Sequence, residues 1–124
     1  MPASLALAGL LFAQAAQPAI TVEAAPDRID VGYPELIAGR PTDAIERIRA
    51  NRRLEVDDPA AHINLGTAKA RLGDRAAARD HYVSALASRE RYDLQLADGT
   101  WMDSRAPARL AIRMLATDRA LALR

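Results

Sequence analysis

Polar and apolar positions along the chain fall into four regimes. Leu5 to Ala13 is a short apolar run, and no charged side chain appears before Glu23. From Pro34 to Ser88 the apolar residues recur at helical spacing, with Ala44, Ile45 and Ile48 sharing one face. Between Tyr92 and Asp103 the period changes, and Leu94 and Leu96 alternate with polar neighbours around Asp98-Gly99, a turn-forming pair. Helical spacing returns from Ser104 to about Leu121, where Leu110, Met114, Leu115 and Leu121 share a side with Ala111 and Arg105, Arg109, Arg113 and Arg119 share the other.

Local signals place the element ends. Pro34 suits the first turn of a short helix to Ala38, closed by Gly39, and Pro41 opens a second helix to about Arg53. Asp58 is a helix cap and Pro59 a first helical residue, so a third helix runs to about Leu72. Gly73-Asp74 makes the next turn, and a fourth helix continues to about Ser88. Tyr92 to Asp103 reads as a small hairpin or an irregular connector, with Trp101 on the return arm and buried against the helices. Ser104 caps the last helix, so the expected fold class is all-α.

Four residues of this pattern occur twice. Gly32, Gly39, Ala44 and Ile48 reappear 34 residues later as Gly66, Gly73, Ala78 and Tyr82. The second copy, from Pro59 through Gly66, Gly73, Ala78, Tyr82, Ala85 and Leu86, resembles the tetratricopeptide repeat. The first copy departs from it at Pro34 and at Asn51-Arg52, and the resemblance spans Asp30 to Ser88. It implies two helical hairpins whose small residues (Gly66, Ala78, Ala85) let helices touch while Leu65, Leu72, Tyr82 and Leu86 fill between them. Two copies are short of the three or so that such arrays need, so the last amphipathic helix reads as a cap over an otherwise bare apolar face. The organisation is then 1–16 a cleaved signal, 17–30 a flexible lead-in, 31–90 the repeats (about 25–58 and 59–92), 91–103 the connector and 104–124 the capping helix.

Composition narrows the function classes. Half of the residues are apolar but only 4% are aromatic, which suits close-packed helices rich in Ala and Leu. A net charge of +1 from 17 basic and 16 acidic residues argues against nucleic acid as a partner. The absence of cysteine excludes disulfides, thiolate metal sites and a cysteine nucleophile. Ala13-Gln14-Ala15 fits a signal cleavage site, although no Lys or Arg precedes the apolar run. A periplasmic or secreted protein beginning near Ala16 is expected; the alternatives are a cytoplasmic chain or one anchored in a membrane through residues 3–22.

Candidate sites follow from the resemblance and from charge. Carried over by position, the groove of the second copy offers Ile63, Asn64, Thr67, Ala70 and Arg71. An amide such as Asn64 both donates and accepts, and so clamps an extended backbone, while Arg71 suits a carboxylate. The competing reading is that both are simply solvated. Arg105, Arg109 and Arg113 form a basic face for an acidic partner or anionic lipid, against the plainer reading of a solubilising surface. His62 and His81 lie on different helices without ligand spacing and read as packing or surface residues. No cofactor motif, metal set or catalytic constellation is expected. The reading is a non-catalytic interaction module that binds a protein or peptide. The alternatives are an enzyme accessory subunit or small enzyme with carboxylates at Asp98 and Asp103 (a site within Asp98–Ser104), and a chain that self-associates.

Overall fold

A computed structural model describes residues 20–23, 30–51, 53–54 and 57–122, with side chains as far as Asp118. It is mostly helical with one small sheet. The order is β1 (Val22–Glu23), α1 (Tyr33–Ile37), α2 (Pro41–Ala50), α3 (Pro59–Arg71), α4 (Arg75–Ala87), β2 (Asp93–Leu96), β3 (Trp101–Asp103) and α5 (Arg105–Ala122). The expected signal segment, residues 1–16, lies outside the described residues, as does the stretch 24–29.

Gly32 and Gly66, 34 residues apart, each lie close against a following helix. A Cβ on Gly32 would meet the Ala44 carbonyl and the Ile48 side chain, each at 3.2 Å. A Cβ on Gly66 would meet the equivalent Ala78 carbonyl at 3.0 Å and the Tyr82 ring at 2.5 Å. The turns repeat as well. Gly39 and Gly73 hold φ of 74° and 85°, and each turn carries the same pair of closing bonds: Gly39 to Leu36 and Arg40 to Glu35, then Gly73 to Ala70 and Asp74 to Lys69. A left-handed residue at that point satisfies carbonyls that the helix end leaves open.

Helix ends match the local chemistry, with three adjustments. Asp58 Oδ1 accepts from the Ala61 N–H at 2.9 Å, and Asp74 Oδ1 from Ala77 at 3.1 Å. α2 stops at Ala50 rather than near Arg53, because the Asn51 side chain donates to the Asp30 carbonyl and accepts from the Arg53 N–H, which competes with helix continuation. At α5 the N–H of Arg105 is taken by Asp103 Oδ1, while the Ser104 hydroxyl is buried without a partner. The expectation for Leu72 also changes: it is 50% exposed instead of filling between helices.

The sheet is antiparallel in the order β1-β2-β3. Val22 stands opposite Leu96 and Glu23 opposite Gln95; Leu94 faces Met102 and Gln95 faces Trp101. The connector is therefore a hairpin, and the lead-in contributes a strand to it. Leu94 is fully buried and pins the sheet on the helices, whereas Trp101, expected inside, is 52% exposed on the outer face.

The main core joins Ile20, Val22, Val31, Ile48, Ile63, Tyr82, Leu94, Ala108 and Ala111, so it is shared by the N-terminal strand, both helical pairs and α5. A smaller cluster of Leu36, Ala44, Ile45 and Ala68 joins the first pair to α3. α5 packs on α4 and α3 through Ala108 and Ala111, with Leu110, Met114 and Leu115 half-buried against the core. No helix among the described residues is long and apolar enough to cross a membrane.

Candidate functional site: a groove filled by the chain itself

The five groove residues lie on α3, and an occupant is already present. Asn64 is fully buried. Its Oδ1 accepts from the Val22 N–H at 2.9 Å, and its Nδ2 donates to the Val22 carbonyl at 2.8 Å and the Val31 carbonyl at 2.9 Å. One turn on, Thr67 Oγ1 donates to the Ile20 carbonyl and lies 3.0 Å from the Tyr82 hydroxyl. Arg71 Nη1 donates to the Leu36 carbonyl at 2.6 Å. Ile63 is fully buried in the core, and Ala70 is half-buried beside it. The amide does clamp an extended backbone, but the backbone belongs to the same chain. Asn64 is removed from solvent, and Arg71 is half-buried.

Electrostatics fit a closed, satisfied site. Burial pushes the Tyr82 hydroxyl above its usual pKa, against the Thr67 hydrogen bond and the nearby Arg71 charge. Burial likewise lowers the Arg71 guanidinium below its ordinary value. Six residues, 24–29, separate β1 from Asp30 in the sequence.

The histidines meet although the sequence separates them by nineteen residues. Their Nδ1 atoms are 3.2 Å apart and the ring centroids 5.5 Å apart. The centroid separation exceeds the nitrogen separation by nearly two ring radii, so the two nitrogens point at each other. That is the geometry of one ring donating N–H to the other; two ligands of one ion would converge on a third point instead. Among the described residues no cluster of three or more metal-ligating side chains occurs. The His81 pKa lies below its ordinary value, chiefly through burial and then through His62, Lys69 and Arg49, against the opposing pull of Asp80.

The alternative site at Asp98–Ser104 resolves into structural contacts. Asp98 accepts from the Thr100 N–H at 2.9 Å within the hairpin loop. Asp103 receives Arg91 Nε at 2.6 Å and the Arg105 N–H at 3.1 Å. Both carboxyls are held below the usual carboxylate range, Asp98 by its bonds to Thr100 and Asp103 first by Arg91. Tyr92 donates to Asp58 Oδ2 at 2.8 Å, tying the hairpin to the start of α3, and its pKa is raised by burial and by that carboxylate.

The basic face divides. Arg109 and Arg113 are exposed on α5, whereas Arg105 is half-buried with an unpartnered Nε. Beside them lies an open groove of about 660 Å³ between α4 and α5, lined by Arg75, Ala76, Arg79, Ile112, Leu115 and Ala116. Arg75 closes one end by donating to the Leu115 carbonyl. The side chain of Arg119 lies outside the described ones. Sequence reasoning did not single out this groove, which needs two helices to exist. It also missed β1, for which a signal was present: Ile20-Thr21-Val22-Glu23 alternates apolar and polar residues and carries three β-branched side chains.

Comparison of the chain with protein-family models, with curated proteins and with solved structures finds no match.

Proposed function

We propose that this chain is a small exported interaction module of the tetratricopeptide type, without catalysis, whose repeat groove is closed by its own strand and whose partner docks on the outer face of α4 and α5. The repeated glycine contact and the repeated turn support the repeat reading. The observation that carries the docking reading is the open groove beside Arg79 and Ala116, present on a chain whose other groove is occupied. The carboxylates at Asp98 and Asp103 are consumed by turn, cap and ion-pair roles, which favours binding over chemistry.

The test is affinity capture from a periplasmic extract of the source cell with the full chain and with Ala116→Trp. Ala116 is exposed, so the new ring fills the groove without entering the core. A partner held by the parent and lost from Ala116→Trp is expected; identical recovery by both baits refutes docking at this face. Intact Met1 on the protein purified from its own cell refutes export with cleavage.

A further inference from the structure

We infer that the α4–α5 groove takes an acidic amphipathic helix of a partner protein. This rests on the docking reading above and adds the chemistry of the occupant.

The floor is apolar and its α4 side is cationic. Ala76, Ile112, Leu115 and Ala116 line the groove together with Arg75 and Arg79. On α4, Arg79 lies one turn from Arg75 and one turn from Val83, which is 39% exposed. On α5, Arg109 and Arg113 lie one turn apart, with Ile112 and Ala116 at the adjoining helical positions. Among the described residues, no ion pair engages Arg79, Arg109 or Arg113. The nearest acidic residues in sequence, Asp80 and Asp118, do not line the groove.

A groove between two helices, lined over about one turn of each, matches the ridge of a third helix, and a stripe of apolar anchors at i, i+3 and i+4 fits such a floor. Arg79 on the α4 side, and Arg109 and Arg113 exposed on α5 outside the lining, then call for carboxylates flanking that stripe. Other occupants fit less well. A second copy docking the same face on itself would set arginine against arginine across the two-fold axis. Membrane insertion requires large apolar residues on the outer face of a helix, but Leu110, Met114 and Leu115 of α5 pack inward against the core.

The probe is a synthetic amphipathic helix with a leucine stripe flanked by glutamates; its control has the same stripe flanked by lysines. Titration into the ¹⁵N-labelled full chain is followed by amide shifts. The expected result is saturable binding of the glutamate peptide, with shifts over residues 75–83 and 109–116, weakening as salt rises. Affinity falls about tenfold or more in Arg79→Glu/Arg113→Glu, whose changes lie on exposed positions and leave the far-ultraviolet spectrum unchanged. No saturation at millimolar peptide, equal binding of the lysine peptide, or shifts on another face overturns the inference. So does saturable binding of laurate or of phosphatidylglycerol vesicles at this groove without peptide binding. A partner lost from Ala116→Trp in the capture experiment, together with a silent glutamate peptide, leaves the docking face standing and removes only the acidic-helix occupant.

Discussion

Gly66→Ala separates the contact reading of the repeat from a generic helical one by the sign of its effect. In an exposed helix interior the change stabilises by about 0.5–1 kcal/mol, because alanine loses less backbone entropy than glycine. Here the added Cβ would lie 2.5 Å from Tyr82 Cε1, 2.6 Å from Cδ1 and 3.0 Å from the Ala78 carbonyl. The ring has little room to yield, being 3% exposed with its hydroxyl 3.0 Å from Thr67 Oγ1. Overpacking of this kind costs about 1–3 kcal/mol, which cancels the propensity gain and leaves a net loss of up to about 2.5 kcal/mol. Urea unfolding of the full chain followed at 222 nm measures it as a lower midpoint at unchanged slope. A double-mutant cycle with Tyr82→Leu assigns the cause: the two changes couple by about 0.5–3 kcal/mol, with the smaller side chain relieving the added methyl. A stabilising Gly66→Ala, or additive mutants, refutes the close approach of α3 to α4 at this point.

Other perturbations address the groove, the first hairpin and the histidines. Asn64→Asp keeps the acceptor for Val22 but turns a carboxylate toward the Val22 and Val31 carbonyls; the chain is expected to lose about 2–4 kcal/mol, with faster amide exchange at Val22, and unchanged exchange there contradicts the clamp. Arg47→Met removes the partner of Glu35, whose side chain is 8% exposed, and lowers stability by about 1–3 kcal/mol, whereas the double change with Glu35→Met recovers most of the loss in thermal melts. Because the His81 pKa is lowered on folding, the unfolded chain binds more protons than the folded one as pH drops below about 6.5, so this contribution is present above that pH and lost below it. His81→Gln is expected to flatten the acid side of a melting-temperature profile between pH 7.5 and 5, and a profile identical to the parent's contradicts the linkage.

Helices were legible because their signals are local. Asp58-Pro59, Gly73-Asp74 and the 34-residue spacing of small residues each act within a turn or a neighbouring helix, and the structure uses them as the residue types imply. Trp101 was not legible, and the reason is register. A two-residue turn at Asp98-Gly99 sets Trp101 opposite Leu96, on the inward face. The loop instead has three residues, closed by the Leu96 N–H to the Thr100 carbonyl, with Gly99 at φ 89°. One extra residue moves every later side chain of the return arm to the other face. Trp101 therefore pairs with Gln95 and faces outward, and Leu94 takes the buried position. The histidine contact and the α4–α5 groove depend on how two helices meet, which no local spacing encodes.

Asn64 shows how correct chemistry at a residue can still leave the function of a site undecided. The side-chain amide recognises extended backbone whatever its source, so sequence alone identifies the clamp but not what it holds. Two facts of the fold settle the occupant. Val22 must be buried to complete a core poor in aromatic residues, and β2 offers it a ladder on the far side. The same strand thus satisfies Asn64, covers the edge of β2 and packs against α3. The helices gain a sheet and a shared core by this arrangement. The consequence is that the polar groups of α3 are committed to the fold, and the outer seam of α4 and α5, where Arg79, Arg109 and Arg113 are exposed, is the surface the proposal assigns to a partner.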